Sequence, residues 1–190
     1  MKYIFDFDDV LFNNTAQFKK HMYLCLENIG VSNERAEEYY KEVRAKGFSI
    51  KNFLAKVVAS ECVDRVDEEE LYEKIMSESK NFINTELVEL VRNLGKENCF
   101  IVTHGVEEYQ LDKITRTEIG PMFSEIIVVQ ESKKQSIELI CAKYKNEDVL
   151  FIDDKIKRFE DLDLVKFPNL KPVLFNEQGL EKLKAELLTI

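Results

Sequence analysis

A chain of 190 residues is long enough for one domain, or for one domain carrying an insertion. Apolar residues at 45% and charged residues at 33% exclude a disordered polypeptide, because the first supply a core and the second keep it in solution. A net charge of −9 and a pI near 5.0 exclude a general nucleic-acid binder, which needs a basic face. No apolar run reaches the ~18 residues of a membrane span, so no membrane partner is expected. Acids at Asp6, Asp8 and Asp9 follow Lys2 too closely for a secretory leader.

Taken in chain order, residues 3–7 form a first apolar run of strand length. From 14 to 85 there is no proline, and Gly30 and Gly47 are the only glycines. That stretch carries helical periodicity. Phe18, Met22, Cys25, Leu26 and Ile29 share one face, as do Ala36, Tyr39, Tyr40 and Val43, and then Ile50, Phe53, Leu54, Val57 and Val58. Asp67 and Glu70 stand at capping-box-like spacing before Leu71, Ile75 and Phe82. Four short amphipathic helices are predicted there.

The remainder alternates. Strand-length apolar runs at 99–103, 126–129, 149–152 and 172–175 are separated by helical patterns. These patterns are Leu87, Leu90, Val91 and Leu94; Ile137, Leu139, Ile140 and Tyr144; and Leu180, Leu183 and Leu187. Such alternation predicts an α/β fold, a Rossmann-like parallel sheet with helices on both faces. The expected division is a core of residues 1–13 and 86–190, with an all-helical insert of residues 14–85. Hinges are expected near 13–15 and 84–86.

Four cysteines at 25, 62, 99 and 141 include no C-x-x-C, and the only histidines are His21 and His104. A zinc site is poorly supplied and no disulfide framework is suggested, so free thiols in a reducing cytoplasm are expected.

The chemistry gathers at strand ends. The first strand runs into Asp6-Phe7-Asp8-Asp9, the second into Thr103-His104-Gly105, the fourth into Asp153-Asp154. A carboxylate directly after an apolar strand is costly to desolvate unless it is paired or bound to a cation. In an extended strand residues two apart point the same way, so Asp6 and Asp8 are expected to address one ligand while Phe7 packs elsewhere. A cation is then needed, and oxygen ligands favour Mg²⁺. Thr103 and His104 end the second strand, and a helix N-terminus expected there would help hold an anion. The His104 ring reads as a surface or rim group. Ser132 and Gln135 predict a capping box that starts a helix at the lysine pair, Lys133 and Lys134.

The ordered set resembles the haloacid dehalogenase-like (HAD) superfamily, most of whose members are magnesium-dependent phosphatases. The D-x-D-x-[TV] motif is matched by Asp6-Phe7-Asp8-Asp9-Val10. A strand ending in Thr is matched by Phe100-Ile101-Val102-Thr103, a helix-start lysine by Lys133 or Lys134, and an acidic pair by Asp153-Asp154. The resemblance implies Asp6 as nucleophile, Asp8 as general acid and base, and Thr103, His104 and Lys133 as phosphoryl-binding groups. Lys133 is preferred to Lys134 for its spacing to Ile137. Metal ligands implied are Asp6, the Asp8 carbonyl and Asp154, with Asp153 in support. In two places the sequence departs from the commonest pattern: Asp9 stands where Gly is frequent, and Lys157 and Arg158 lie where a third acid is usual.

The insert resembles the helical cap of the subgroup that includes phosphoglycolate phosphatase-like and β-phosphoglucomutase-like enzymes. Arg44, Lys46 and Lys51, around Gly47, are its candidate substrate contacts. The function implied is Mg²⁺-dependent hydrolysis of a small phosphorylated metabolite. A phosphomutase is the second enzymatic reading, and a non-catalytic phosphate-binding protein on the same scaffold the third.

Overall fold

The computed structural model describes residues 1–61, 66–176, 181 and 183. In chain order its strands are β1 (Lys2–Phe5), β2 (Cys99–His104), β3 (Glu125–Val129), β4 (Val149–Asp153) and β5 (Leu170–Leu174). The helices are α1 (Lys19–Glu27), α2 (Asn33–Arg44), α3 (Ile50–Glu61), α4 (Glu68–Met76), α5 (Thr85–Leu94), α6 (Glu107–Arg116), α7 (Lys134–Lys143) and α8 (Lys157–Glu160). Every strand pair is parallel, in the order β3-β2-β1-β4-β5. This is the expected Rossmann-like α/β sheet.

Side-chain alternation assigns the two faces. Ile4, Phe100, Val102, Val149 and Phe151 form one core with Ile137, Ile140 and Cys141 of α7. Residues of the opposite parity, Tyr3, Phe5, Cys99, Ile101, Leu150 and Ile152, are buried on the other side. There Cys99 Sγ donates to the Val91 carbonyl of α5, and Phe5 meets Phe123 edge-on at 6.1 Å. Truncating a ring such as Phe5 or Phe151 to alanine should cost about 3–5 kcal/mol. The chain runs outward from β1 to β3 and returns at β4, so the topological switch falls between β1 and β4. Ligands of open α/β sheets bind beyond the strand ends at such a switch.

The chain divides into two compact units. One holds the sheet, from Met1–Phe12, Asn84–His104 and Ile119–Ile190; the other is helical, from Asn13–Ile83 and Gly105–Glu118. In the helical unit Ser32 Oγ accepts from Arg35 N to start α2, and Asp67 Oδ1 accepts from Glu69 N and Glu70 N to start α4. Phe53, Leu54, Val57, Ile75 and Met76 fill its interior.

The sequence pattern groups residues 105–118 with the sheet, whereas they belong to the helical unit. Side-chain pairs explain the difference. Arg116 holds Glu73 at 2.6 Å and Asp112 at 3.0 Å, the Tyr72 hydroxyl donates to Asp112, and Lys51 meets Glu108 at 3.0 Å. The Phe48 and Tyr109 rings stand 5.8 Å apart. These contacts tie α6 to α3 and α4.

Cys25, Cys99 and Cys141 are buried free thiols, and burial pushes Cys99 up to about 12 and Cys141 up to about 11, so both stay protonated. Cys62, Leu180 and Leu187 lie outside the described residues; Leu183 is helical and buried. Among the described residues no helix is long and apolar enough to cross a membrane.

Candidate active site

The alternation that builds the core also builds the site. Asp6 follows Ile4 by two residues and Asp153 follows Phe151 by two, so both carboxylates continue the sheet face that α7 covers. Lys133 stands immediately before α7 and meets both. Its Nζ lies 2.7 Å from Asp6 Oδ2 and 2.6 Å from Asp153 Oδ2, with the three side chains 2%, 7% and 0% exposed. Asp6 Oδ1 accepts from Phe7 N at 2.7 Å, and Asp153 Oδ1 accepts from Lys155 N at 2.9 Å. Both carboxylates are therefore fixed at both oxygens. Lys134 points elsewhere, exposed and 3.8 Å from Glu138.

A buried ammonium shared by two carboxylates leaves one negative charge, and Asp154 adds another. Ligand oxygens of Asp6, Asp153 and Asp154 lie within 4.8 Å of one another. Burial pushes the Asp154 carboxyl above its ordinary value, and the charges of Asp6 and Asp153 add to that. The hydrogen bond from Lys155 Nζ, at 3.0 Å, works against it. Three hard oxygen donors at one strand switch suit a divalent cation such as Mg²⁺. Beside them Thr103 Oγ1 is buried and has no hydrogen-bond partner among the described residues. The β1–β2 register pairs Phe5 with Ile101, which puts Asp6 and Thr103 at neighbouring strand ends. A buried hydroxyl without a partner is costly, and an incoming oxyanion would satisfy it.

Several local expectations are corrected. β1 stops at Phe5, so strand alternation does not align Asp8 with Asp6. Phe7 O instead accepts from Leu11 N and Phe12 N, and Asp9 N donates to Phe12 O, which curls residues 7–12 into a tight loop. The stacked Phe7 and Phe12 rings, 5.2 Å apart and both buried, anchor it. Asp8 is half-buried and is not part of the carboxylate trio. The loop also explains Asp9, whose φ of 61° lies in the left-handed region where Gly is easiest and Asp is tolerated.

No helix follows Thr103 directly. β2 continues through His104, α6 starts at Glu107, and its first turn already carries Glu107 and Glu108. The His104 ring is exposed, and its pKa is lowered by burial of part of the ring and by the charges of Arg158 and Lys133, which keeps it neutral at pH 7. Ser132 does not make the predicted capping box; its Oγ accepts from Lys134 N at 3.1 Å, in a turn that sets Lys133 at the helix start. Of the candidate substrate contacts in the helical unit, Arg44 and Lys46 are exposed, while Lys51 is engaged by Glu108. Lys155 was missed. Its signal was its place directly after the acidic pair.

A parallel α/β sheet with carboxylates and a lysine at its switch point defines a Rossmann-like protein with an acidic, cation-compatible site. The family model for Haloacid dehalogenase-like hydrolase matches residues 3–161, and the chain belongs to that family. No curated protein sequence matches the chain. Solved structures share its fold. A haloacid dehalogenase-like hydrolase from Burkholderia xenovorans is 15% identical with a TM-score of 0.69, over 94% of this chain and 86% of its own. A HAD-hydrolase from Bacillus subtilis, bound to magnesium, is 18% identical with a TM-score of 0.60, over 100% and 98%. A structure described as a β-phosphoglucomutase from Thermotoga maritima is 15% identical with a TM-score of 0.56, over 97% and 99%.

Proposed function

We propose that this hydrolase is an Mg²⁺-dependent phosphomonoesterase acting on a small phosphorylated metabolite through an aspartyl-phosphate on Asp6. The observation that carries the reading is the clamping of Asp6: Lys133 on one oxygen and Phe7 N on the other hold its carboxylate in one orientation at a strand end. A nucleophile fixed in this way has already lost the rotational freedom that an attack would otherwise cost.

In the first step an Asp6 oxygen attacks phosphorus and the bond from phosphorus to the ester oxygen breaks. Asp8 gives its proton to the departing oxygen. In the second step Asp8 takes a proton from water, the water oxygen attacks phosphorus, and the acyl-phosphate bond breaks to release inorganic phosphate and restore Asp6. Thr103 Oγ1 and the backbone N–H of His104 bind phosphoryl oxygens, and Lys133 offsets charge on Asp6 and the phosphoryl group. Asp6, Asp154, the Asp8 carbonyl and Asp153 would hold Mg²⁺, which supplies charge neutralisation at the phosphoryl oxygens when bound. The acidic chain disfavours nucleic acid as the substrate.

The test is phosphate release from an aryl phosphate. Asp6→Asn should fold normally and lose turnover by at least about 10⁴-fold, since no covalent path remains. Turnover within tenfold of the parent would exclude Asp6 as nucleophile. A phosphomutase would show itself as isomerised sugar phosphate without free phosphate by phosphorus NMR.

A further inference from the structure

The three carboxylates of the strand switch face two ammonium groups that differ in freedom. Lys133 bridges Asp6 and Asp153 with its side chain only 2% exposed, so it has nowhere to go. Lys155 touches Asp154 Oδ1 at 3.0 Å, yet its side chain is 36% exposed and open to water. Its charge also acts on Asp6 and Asp153, so it serves the whole trio and not Asp154 alone. Its backbone N–H, separately, holds Asp153 Oδ1. An ammonium and a divalent cation cannot share one carboxylate oxygen without strong repulsion.

We propose that Lys155 is a displaceable internal counterion: its ammonium holds the cation position on Asp154 in the metal-free protein and swings into water when a divalent cation binds. The proposal rests on the metal reading of the site given above. Three carboxylates with Lys133 alone carry two net negative charges; Lys155 reduces this to one. When a divalent cation enters and Lys155 leaves, the cluster becomes neutral. Lys155 thus stabilises the metal-free fold and weakens metal affinity, two effects of opposite sign from one side chain. This gives a role to a lysine placed directly against the acidic pair.

The experiment compares the parent with Lys155→Met and Lys155→Gln, using Lys157→Met, an exposed neighbour with the same charge loss, as control. Mg²⁺ is titrated by calorimetry, and thermal unfolding is followed in chelator and in saturating Mg²⁺. Both Lys155 variants should bind Mg²⁺ about tenfold more tightly, about 1.4 kcal/mol, and should unfold at lower temperature in chelator. The gap between the two melting temperatures should widen, while Lys157→Met should match the parent within about twofold. Parent-like or weaker Mg²⁺ affinity in the Lys155 variants would overturn the counterion role and leave the metal site standing. A gain in Lys157→Met as large as in the Lys155 variants would also overturn it, by showing a general charge effect. A parent that binds no Mg²⁺ would overturn both the counterion role and the metal reading.

Discussion

Replacing Lys133 with methionine removes one ammonium and keeps most of the side-chain volume. The parent buries Asp6 and Asp153 on either side of that ammonium at 2.7 and 2.6 Å, with both carboxylates less than a tenth exposed. Removing one partner of a buried ion pair costs about 3–5 kcal/mol, because the remaining charge stays uncompensated; here two charges lose the same partner, so the upper end applies. Chains of this size lose roughly 2–4 °C of melting temperature per kcal/mol. In chelator, Lys133→Met should therefore melt roughly 10–20 °C below the parent. Urea denaturation would give the free energy directly. Adding Asp153→Asn should recover part of the loss, since the pair acts as a unit and the two changes are not additive. Loss below about 1 kcal/mol, or full additivity in the double variant, would refute the claim that Lys133 is what holds these two carboxylates in place.

Other outcomes follow from the same geometry. Thr103→Val removes a buried hydroxyl that has no partner among the described residues, so stability should stay within about 1 kcal/mol while aryl phosphate turnover falls about 10²-fold; a parent-like rate would remove Thr103 from the phosphoryl site. Exhaustive chelation should bring phosphate release to background, with Mg²⁺ restoring it, and metal-independent turnover would contradict the oxygen-ligand site. In the helical unit the hydrogen bond from Lys19 holds the Glu37 carboxyl below its ordinary value, with Tyr23 assisting. Its stabilisation is complete above the unfolded carboxyl pKa near ~4.3 and fades as pH falls through the lower folded value. Because Glu37 is more than a third exposed the effect is below ~1 kcal/mol, and Glu37→Gln should flatten the acid limb of the urea stability–pH curve by that much.

The parts legible in the sequence were those set by local pattern. Five apolar runs, helical periodicity between them and acids at their ends placed the sheet; the spacing to Ile137 favoured Lys133 over Lys134, while the lysine's place beside Asp6 came from the family resemblance. The loop around Asp8 was not legible, because it depends on where β1 stops and on the Phe7–Phe12 stack that curls the chain there. The grouping of α6 with the helical unit was hidden for another reason. It rests on pairs such as Arg116 with Glu73, 43 residues apart, whose side chains are 24% and 50% exposed and carry no periodic signal. Lys155 was overlooked because a charged residue after a strand reads as solvated until its ammonium is seen on Asp154.

The most direct test of the covalent route is to mix excess protein with an aryl phosphate in Mg²⁺, quench in acid within milliseconds and map the phosphoryl mass adduct by peptide mass spectrometry. The account predicts an adduct on the peptide at Asp6, absent in Asp6→Asn and accumulating in Asp8→Asn where the second step is slowed. Product formation with no adduct on that peptide, or with an adduct on another residue, would contradict it.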